Sequence, residues 1–583
     1  MIHFIRNIRL AAGTVSEHLT EAPFVLALQV LRRLPSGLVR PSARVVSRLA
    51  PGSWRPILLL ASHAAGDAEG LARRLDRAVA AGIGGDRARK AAEVAVAAGQ
   101  PQHADRLLRM VADSSQTAST VARRKWYDGD MSGAVGVLHG QTGSISKQRL
   151  RLESELAVFQ GWNPLAPTVL MTPEPRRVLH LVTNSVPHTG SGYARRTQSV
   201  LSAQQEAGWE PLAVTRMGYP VQIGVLTAKN WDVVGGVRYE RILPGAMASK
   251  MDDRLQQQTT ELLAIGKKFR PSVLHTTTHF VNGLVAREVA KALDIPWVYE
   301  VRGQLADTWA SSRSEDARNS ERYRLFTERE AEVMRSADLV VTLGESMKRN
   351  IVSFGVEKDK ILISPNAVGG AYLEAPIEHG EARRILGLDP NNLYIGTVSS
   401  LVDYEGLDDL VASFALLAPR LPKLKLVLVG DGTAAPTLRD QVKRLGLSDR
   451  TIFTGRVSPD QARLYHLALD VFVVPRKDLA VTRSVTPLKP VEALASGRPV
   501  VASDLEALRE IVHDGVNGRL TMAEDPVLLA DVLFELLDDE GLRRRMGSAG
   551  RVEVLASRTW RANALAYGQA YETLASNYSR RAS

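Results

Sequence analysis

The sequence predicts an α/β protein in which an all-α region precedes two doubly wound parallel-sheet units in tandem. Three observations support this: an Ala-, Leu- and Arg-rich N-terminal region without β-branched runs, a proline cluster at 163–177, and short apolar strands alternating with helical segments after it. We place the domains at residues 1–175, 176–385 and 386–578. Open parallel sheets bind ligands beyond the carboxyl ends of their strands, so we expect a site in the cleft between the two units.

The all-α region contains a loose repeat. Gly66, Gly99 and Gly129 each open a similar segment, lie 33 and 30 residues apart, and are each followed nine positions later by a leucine. Such spacing is typical of tetratricopeptide-like helix–turn–helix units, which bury their apolar faces against neighbouring units. An irregular helical bundle explains the same Ala-rich pattern, and both interpretations stay open at this stage.

Positive charge is concentrated in the same region. Residues 1–175 carry 22 Lys and Arg against 14 Asp and Glu, which supplies +8 of the net charge of +11. Residues 1–55 hold eight Arg and two Glu, with the Arg spaced among apolar segments. These residues form either an ordinary solvated face or a surface that docks on an anionic membrane or a protein partner. We expect no nucleic-acid partner, because no basic patch interleaved with aromatic residues is present.

Composition excludes several kinds of chemistry. The chain has no Cys, so disulfides, thiolate metal sites and cysteine nucleophiles are absent, and catalysis has to use carboxylates, His, hydroxyls or bound substrates. No window approaches the run of about 20 apolar residues that a membrane-spanning helix needs, and the first residues lack the apolar core of a signal peptide. We therefore expect a soluble, cytoplasmic protein, peripheral on the inner face of the cell membrane if the basic region docks there.

The first sheet unit contains two motifs at predicted strand ends. In NSVPHTGSGYARRTQ, Gly190 and Gly192 lie between a strand and a helix, where glycine lets a ligand approach the backbone and the helix start offers free N–H groups. The motif HTTTHFVNG places His275 and His279 in a polar loop after a strand. The alternatives are a plain strand-to-helix turn for the first motif and a structural histidine for the second.

Charged residues follow another strand of the first unit. Glu300, Arg302 and Asp307 lie close together in the stretch YEVRGQLADTW. They form either a structural ion-pair network or contacts with a polar acceptor or a donor sugar.

The second unit contains further motifs at strand ends. They are VGDGT, TGRV and PLKPVEALASGRPVVASD, with the candidate residues Gly430, Asp431, Gly432, Gly455, Arg456 and Glu492. Together with SGY and NAV (Asn366), these motifs follow one another in a characteristic order. Over about residues 177–578 the chain resembles the family 4 glycosyltransferases of the GT-B fold, in which two Rossmann-like domains face a cleft and the last helix crosses back to the first domain.

This resemblance implies a retaining glycosyltransferase that moves a sugar from a UDP- or GDP-linked donor to a glycan or lipid-linked acceptor, in surface polysaccharide synthesis. It implies no metal and no other cofactor. Glu492 would accept hydrogen bonds from the ribose hydroxyls, and the loop at Arg456 would frame the base. The glycines of the SGY region would approach the phosphates or the acceptor. His279, with His275 as its rival, would contact the transferred sugar or the acceptor.

Two departures from the family pattern remove expected charges. When the usual loop G-R-L-x-x-x-K-G is aligned through Gly406, its Arg and Lys positions hold Ser400 and Glu405. In the usual pair of Glu residues eight apart, Glu492 stands at the second position and Ser484 at the first. A catalytically inactive nucleotide-binding scaffold is therefore one alternative function, and a sugar-nucleotide epimerase of the same architecture is another.

Other residues offer the missing positive charge. A departing diphosphate needs cationic or dipolar stabilisation in a dry cleft, and without a metal the protein has to supply it. The segment VVPRKDLAVTRSVTPLKP contains Arg476 and Lys489, and it resembles a variant subgroup with a YEG loop and a PLKP segment. We expect these two cations to replace the missing pair. Further donors would be backbone N–H groups and hydroxyls at Pro487, Leu488, Ser399 and Ser400.

Overall fold

In the computed structural model of the protein, the described residues are 2–21, 55–311 and 313–582, together with residues 24, 27, 42, 43, 45 and 46. Most of the Arg-rich stretch between residues 22 and 54, on which part of the docking prediction rests, therefore lies outside the described residues. Within the described ranges, no helix is both long and apolar enough to cross a membrane.

The described residues before the first sheet form helices and turns only, as the sequence predicts. These helices are α1 (Ile2–Glu21), α2 (Pro56–Ala65), α3 (Ala68–Ala80), α4 (Gly85–Ala97), α5 (Pro101–Leu108), α6 (Ser115–Asp128), α7 (Met131–Val137) and α8 (Ser144–Phe159). Gly66, Gly99 and Gly129 lie with positive φ in the turns that join α2 to α3, α4 to α5 and α6 to α7. The loose repeat is therefore a series of helix–turn–helix pairs, and its membership of the tetratricopeptide class stays a prediction.

Two of these pairs start their second helix with the same cap. In GDAEG and GDMSG, the carboxylates of Asp67 and Asp130 accept the backbone N–H three residues on, at 2.8 and 2.9 Å. A Cβ at Gly70 or Gly133 would lie 1.9 or 2.2 Å from a carboxylate oxygen, so any other residue there would displace the capping carboxylate. The similarity of the two segments thus follows from their capping geometry.

The first sheet is parallel except at one edge. Its strand order is β3-β4-β2-β1-β5-β6-β7-β8, and β3 pairs antiparallel with β4. The strands are β1 (Arg177–Val182), β2 (Glu210–Thr215), β3 (Trp231–Val234), β4 (Val237–Arg241), β5 (Val273–Thr277), β6 (Trp297–Glu300), β7 (Leu339–Thr342) and β8 (Ile361–Ile363). The helices of this unit are α9 (Gly192–Glu206), α10 (Met251–Phe269), α11 (Phe280–Leu293), α12 (Leu305–Ser311), α13 (Glu321–Ser336) and α14 (Glu345–Ser353). The run VLHLV in β1 is buried throughout, as expected for a strand covered on both faces.

The second sheet is parallel throughout, with the order β11-β10-β9-β12-β13-β14. Its strands are β9 (Leu393–Val398), β10 (Leu424–Val429), β11 (Thr451–Gly455), β12 (Val471–Val474), β13 (Val500–Ser503) and β14 (Gly518–Thr521). The remaining helices are α15 (His379–Ile385), α16 (Leu407–Leu417), α17 (Ala435–Arg444), α18 (Pro459–Ala468), α19 (Ala480–Ser484), α20 (Lys489–Ala495), α21 (Glu506–Arg509), α22 (Pro526–Asp538), α23 (Glu540–Ser557) and α24 (Trp560–Ala582).

The boundary between the two sheet units differs from the predicted one at residue 386. Ala382 of α15 packs against Leu467 of the second unit, and the Arg383 guanidinium lies 2.7 Å from the carboxylate of Asp470. The second unit therefore begins before α15, because the apolar face of this helix is buried there.

The last helix, α24, returns to the first sheet, as the sequence predicts. It packs against α9 and β5, and it continues to Ala582. The hydroxyl of Tyr571 lies 2.5 Å from Nδ1 of His275 and accepts a hydrogen bond from the Gln204 amide at 3.2 Å. Because Tyr567 and Tyr571 are fully buried, this helix completes the core of the first unit with residues from the far end of the chain.

Candidate active site in the cleft between the two sheets

Loops at the carboxyl ends of both sheets approach each other. The first unit contributes the β1–α9 loop, and the second contributes the β9–α16 loop and the segment from β12 to α20. Beside these loops the units are in direct contact: the Asn366 amide donates to the carbonyl of Thr486 at 2.9 Å. The Glu510 carboxylate accepts the backbone N–H groups of Glu345 and Ser346, at 2.9 and 2.7 Å. The relative position of the two strand-end surfaces is thereby held by hydrogen bonds.

A buried ion-pair cluster joins Arg476, Lys489 and Glu405, and we call it the charge cluster. The Glu405 carboxylate lies 3.1 Å from Arg476 Nη2 and 2.6 Å from Lys489 Nζ. The side chains of Arg476 and Glu405 are 8% and 5% exposed, whereas that of Lys489 is 20% exposed. Burial opposes ionisation of Glu405, but Arg476 and Lys489 outweigh it and lower its pKa to about 2. The cluster therefore carries one net positive charge, and Lys489 is its most accessible member.

Sequence reasoning missed the role of Glu405. It treated this residue only as the loss of a lysine, whereas Glu405 lies between the two cations expected to replace that lysine. Arg476 is oriented further by its Nη1, which donates to the carbonyl of Val485 at 2.9 Å. The signal that could have found the pairing is charge complementarity between the YEG loop and the PLKP segment, two variant segments of one predicted site.

Glu492 lies one turn into α20, beside the charge cluster. Burial raises the pKa of its carboxyl to about 7, although Arg195 and Lys489 act in the opposite direction. Arg195 belongs to α9 of the first unit, so this interaction reaches across the cleft. No protein hydrogen bond to the Glu492 carboxylate is present within the described part of the chain. The carboxylate is thus available as an acceptor, while Ser484, at the other position of the expected acidic pair, donates its hydroxyl to the carbonyl of Ala480 at 3.1 Å.

The other predicted phosphate donors lie at the neighbouring strand ends. Pro487 and Leu488 directly precede α20, and Ser399 and Ser400 follow β9. The Ser399 hydroxyl donates to the carbonyl of Ser400 at 3.2 Å. The β9–α16 loop packs closely against the end of β12. A Cβ at Gly406 would lie 1.7 Å from the carbonyl oxygen of Pro475, so this close packing requires glycine. Glycine is required there also because its φ is 66°.

The glycines of VGDGT are explained by packing within the protein. A Cβ at Gly430 would lie 1.8 Å from the carbonyl oxygen of Ser399, and one at Gly432 would lie 2.1 Å from that of Leu401. Asp431 caps this turn, since its carboxylate accepts the N–H of Gly432 at 2.9 Å. Both glycines thus let the β10 and β9 loops pack together, whether or not a ligand contacts them.

The glycines at the other strand ends face open space. A Cβ at Gly190, Gly192 or Gly455 would meet no protein atom within 4 Å. Packing therefore does not demand glycine at Gly190 or Gly192, and a ligand could approach the backbone there, whereas the φ of 72° at Gly455 favours glycine by itself. Arg456, next to Gly455, is exposed at the end of β11.

The two candidate histidines differ in access. His275 is fully buried, and burial lowers the pKa of its ring although Glu300 lies 3.4 Å away. His279 is partly exposed and caps α11, where its Nδ1 accepts the N–H of Val281 at 3.4 Å. Burial of its ring, which stacks on Phe326, lowers the pKa to about 3, so His279 is neutral at physiological pH. Of these two rings, only that of His279 can contact a ligand.

The charged residues after β6 separate into two groups. Glu300 accepts hydrogen bonds from Arg196 Nε at 3.0 Å and from Arg302 Nη2 at 2.6 Å, in a fully buried network. Asp307 lies apart from it and accepts from the Tyr323 hydroxyl at 3.0 Å. Of the two alternatives, Glu300 and Arg302 therefore fit the structural ion-pair network rather than contacts with a sugar. Arg302 also donates to the carbonyl of Tyr193 at 3.2 Å, so the network supports the first turn of α9.

Two aromatic residues at the cleft were not anticipated. Tyr193, 53% exposed, follows Gly192, and Tyr404, 36% exposed, belongs to the YEG loop. Burial raises the pKa of the Tyr193 hydroxyl, and Tyr404 adds to this effect from the other side of the cleft. Nothing but their position beside glycines distinguished them in the sequence. Within the described residues, no group of three or more His, Asp or Glu side chains is arranged to hold a metal ion.

Two family models match the sheet units. Residues 191–367 match the glycosyl transferase 4-like domain, and residues 378–553 match the glycosyl transferases group 1. The second match begins before α15, in agreement with the boundary that packing places there.

Several relatives are glycosyltransferases by name. Alpha-monoglucosyldiacylglycerol synthase of Streptococcus pneumoniae is 27% identical over 283 residues, which are 48% of this chain and 62% of that protein. D-inositol 3-phosphate glycosyltransferase of Corynebacterium diphtheriae is 27% identical over 348 residues, 57% of this chain and 79% of that protein. GDP-mannose-dependent alpha-(1-6)-phosphatidylinositol monomannoside mannosyltransferase of Mycobacterium tuberculosis is 30% identical over 225 residues, 38% of this chain and 58% of that protein. The chain thus spans less than two thirds of the first and third of these relatives.

Solved structures share the fold. Sucrose-phosphate synthase from Thermosynechococcus elongatus superposes with a TM-score of 0.58 at 22% identity, covering 68% of this chain and 99% of that one. Anabaena HepE in complex with UDP gives a TM-score of 0.55 at 17% identity, covering 68% of this chain and 100% of that one. Because each sheet unit matches its own family model and the two are arranged as in these structures, the chain belongs to the family 4 glycosyltransferases of the GT-B fold.

Proposed function

We propose that this protein transfers a sugar, with retention of anomeric configuration, from a UDP- or GDP-linked donor to a glycan or lipid-linked acceptor in surface polysaccharide synthesis. The observation that carries the proposal is the charge cluster beside the unpaired carboxylate of Glu492. A relative is named as GDP-mannose-dependent, and HepE was solved with UDP, which supports a nucleotide-linked donor.

The charge cluster would stabilise the leaving diphosphate. Arg476 holds Glu405, and Glu405 holds Lys489, so the ammonium group is positioned at the cleft with no reorganisation when charge develops. The single net positive charge of the cluster is less than the usual Arg and Lys pair would provide. Arg195 on the opposite wall, and backbone N–H groups at the start of α20, would add to it.

Retention is consistent with attack on the same face as the leaving group. Glu405 is poorly placed to act as a nucleophile or base, because it is buried, paired with two cations, and has a lowered pKa. In this mechanism the leaving phosphate oxygen takes the acceptor's proton, while Glu492 accepts hydrogen bonds from the ribose hydroxyls and the Arg456 loop frames the base. His279, as a neutral ring whose Nδ1 accepts the N–H of Val281, would donate one hydrogen bond from Nε2 to the transferred sugar.

Calorimetry and turnover together test this proposal. Titration of the full chain with UDP and with GDP should show binding of one of them, and a screen of sugar nucleotides should show hydrolysis or transfer. Binding without turnover for any donor would favour the scaffold alternative suggested by Glu405 and Ser484. Interconversion of donor sugars without transfer would favour an epimerase, and absence of nucleotide binding would contradict all three.

Nucleotide affinity should depend on pH through Glu492. Its pKa of about 7 leaves the carboxyl mostly protonated at pH 6 and mostly ionised at pH 8. Because the ionised form accepts from both ribose hydroxyls, we expect the affinity for the preferred nucleotide to rise about tenfold between these pH values. Titration calorimetry measures this change. Glu492→Gln removes the titrating carboxyl at this position, while the phosphate of the nucleotide still titrates. An equal rise of affinity with pH in this variant would contradict the assignment of Glu492 to the ribose.

We also propose that α1 docks the protein on an anionic membrane surface. One side of this helix is fixed to the first unit, since the Asn7 amide donates to the carbonyls of Leu226 and Ala228 at 2.9 and 2.8 Å. The solvent-facing side exposes apolar side chains by 42–47%, namely Phe4, Ile5, Ile8 and Val15. Arg9 is exposed beside them, in a region with a strong surplus of positive charge. An apolar stripe flanked by cations is typical of helices that lie in a membrane interface.

Vesicle binding tests the docking of α1. The variant Ile5→Ser/Ile8→Ser should bind vesicles containing phosphatidylglycerol at least about tenfold more weakly than the unchanged protein, because two side chains no longer enter the interface. Raising the salt concentration should weaken binding of the unchanged protein as well. Leu565→Ser on α24, where the leucine is 59% exposed, is the matched control and should bind normally. Deleting residues 1–55 should also reduce binding. Undiminished binding by both the Ile5→Ser/Ile8→Ser variant and the truncated protein would rule out the docking site.

A further inference from the structure

The loop between β1 and α9 contains a histidine that is paired with a carboxylate and has no role in the mechanism described above. His188 Nε2 lies 3.0 Å from Oδ2 of Asp232 in β3. The same oxygen accepts a hydrogen bond from Nε of Arg241 in β4 at 2.9 Å, and Nη2 of this buried arginine lies 2.8 Å away. An ionised carboxylate offers only acceptor oxygens, so Nε2 carries the hydrogen of the His188 pair. Nδ1 is then the acceptor nitrogen of the neutral ring.

Nδ1 of His188 is an acceptor without a donor. It makes no hydrogen bond with any residue that the structure describes, yet it is not buried. A second pair of the same kind, in the helical region, shows the difference. His103 Nε2 lies 3.1 Å from Oδ1 of Asp76, but Nδ1 of His103 is buried. A ligand can therefore contact the remaining nitrogen of His188, whereas that of His103 is closed off.

Neighbouring side chains fix the loop in which His188 lies. The Tyr219 hydroxyl donates to the carbonyl of Ser185 at 2.6 Å and lies 2.8 Å from Oγ1 of Thr189. Arg241 Nη1 donates to the hydroxyl of Ser185 at 2.5 Å. The ring of Tyr219 also meets that of His188 edge-on, with 6.3 Å between their centres. The orientation of His188 is thus set by the fold, so contact with a ligand would cost little side-chain entropy.

The position of His188 in the chain places it at the cleft. Gly190 follows two residues later, so the two Cα atoms lie within about 7 Å of each other. A Cβ at Gly190 or Gly192 would meet open space. Burial raises the pKa of the Tyr193 hydroxyl at the start of α9, whereas Arg476 of the charge cluster lowers it from the second unit. The loop that carries His188 therefore leads into a helix start within electrostatic reach of the charge cluster.

The same loop carries a second acceptor without a donor. Oδ1 of Asn184, which follows β1, is buried and has no hydrogen-bond partner among the described residues. A buried acceptor without a partner is unfavourable, and a ligand that donates a hydrogen bond would remove this cost. Hydroxyl groups of a sugar are donors of this kind, whereas an ionised phosphate offers only acceptors. The two acceptors therefore favour a polyhydroxylated ligand.

We propose that His188 binds a hydroxyl group of the sugar acceptor, which donates its hydrogen to Nδ1, and that Asp232 positions the ring. The proposal rests on the proposed glycosyltransferase activity and adds to it a contact between the first unit and the acceptor. The bound hydroxyl keeps its proton and is not the attacking one, whose proton goes to the leaving phosphate oxygen. Loss of this contact should affect binding of the acceptor and not of the donor.

Two amide substitutions separate a ligand contact from a structural role. In His188→Asn, the amide atoms stand as many bonds from the backbone as Nδ1, whereas in His188→Gln they stand where Nε2 pairs with Asp232. The probes are the octyl α-glycosides of glucose, mannose and galactose, whose binding to the full chain is measured below micellar concentration by saturation-transfer NMR. At least one probe should bind. His188→Gln should weaken its binding about tenfold through loss of one hydrogen bond, and His188→Asn should stay within about threefold of the unchanged protein.

His103→Gln is the matched control, because it alters the other His–Asp pair and should bind the probe normally. Thermal midpoints establish that all three variants are folded. Binding of no probe, or undiminished binding by His188→Gln, would overturn the proposal. Weakened binding by His188→Asn would do so as well, because it would show that the pair with Asp232, and not Nδ1, is what matters.

Nucleotide titrations keep this proposal separate from the proposed function. The affinities for UDP and GDP should be the same in both His188 variants as in the unchanged protein. Absence of nucleotide binding in the unchanged protein would contradict the proposed function, whatever the octyl glycosides do. In transfer assays, His188→Gln should raise the KM for the bound probe about tenfold and leave kcat unchanged. A lower kcat at unchanged KM would overturn the assignment of His188 to acceptor binding.

Discussion

Lys489→Ala is expected to lower the rate of sugar transfer about 10²- to 10³-fold, because it removes the most accessible cation of the charge cluster, which we propose stabilises the leaving diphosphate. Arg476→Ala should have an effect of the same order, since it releases Glu405, which positions Lys489. Initial rates at saturating donor concentration measure both effects. Neither variant should lose its fold, because Glu405 keeps one cationic partner in each.

Lys477→Ala is the matched control for these variants. Lys477 belongs to the same segment, but its ammonium group lies 2.7 Å from the carboxylate of Asp408 rather than from Glu405. Turnover of this variant should stay close to that of the unchanged protein. If Lys489→Ala and Arg476→Ala keep full turnover while Ser400→Ala abolishes it, the β9–α16 loop holds the phosphates and the assignment of the charge cluster is wrong.

Glu300→Gln should destabilise the first unit by about 3–5 kcal/mol, because it leaves Arg196 and Arg302 buried without their shared carboxylate. Burial opposes the charge of Glu300, but Arg302 and Arg196 outweigh it and hold the pKa well below its usual value of 4.5. The carboxylate therefore stabilises the fold above pH 4.5, and this contribution falls as the pH drops below it. The difference between variant and unchanged protein should shrink in the same direction.

Urea unfolding followed by fluorescence measures this effect, with separate midpoints expected for the different units. Glu240→Gln is the control, since Glu240 pairs with Arg238 at 2.9 Å where the arginine is 52% exposed. A pair of this kind contributes less than about 1 kcal/mol. Equal midpoints for Glu300→Gln and Glu240→Gln would show that the buried network does not hold the first unit together.

Much of the architecture was predictable because it depends on local periodicity. Apolar runs of strand length alternate with helical segments, and this pattern predicts parallel sheets without any long-range information. The repeat at Gly66, Gly99 and Gly129 was visible for a similar reason, since a left-handed turn favours glycine. The predicted boundary at residue 386 leaves α15 in the first unit, whereas α15 packs on the second unit, because its position depends on the partner for its apolar face, which local sequence does not specify.

A sequence motif does not distinguish glycines that packing requires from glycines that a ligand approaches. Gly430 and Gly432 belong to a family motif, yet the carbonyl groups of Ser399 and Leu401 already require them. Gly190 and Gly192 have no such neighbours, so they are the better candidates for a ligand's approach. Sequence could not separate the two cases, because it does not contain the distance from a glycine to another loop.

The stretch with Ser400 and Glu405 looked like the loss of a phosphate-binding loop. Glu405 and Arg476 are 71 residues apart in the chain, but they form a buried pair with Lys489 as the third member. The individual charges were visible in the sequence and their partners were not.

By itself, the sequence determined the fold class, the order of the units, the family resemblance and the inventory of charged residues near the strand ends, because each follows from short-range pattern. The tertiary structure decided which charges pair, which histidine a ligand can reach, and in which direction the pKa values of Glu405 and Glu492 shift. The physical reason is that electrostatic energy depends on distance and on burial. Both are set by the packing of segments that are far apart in the chain.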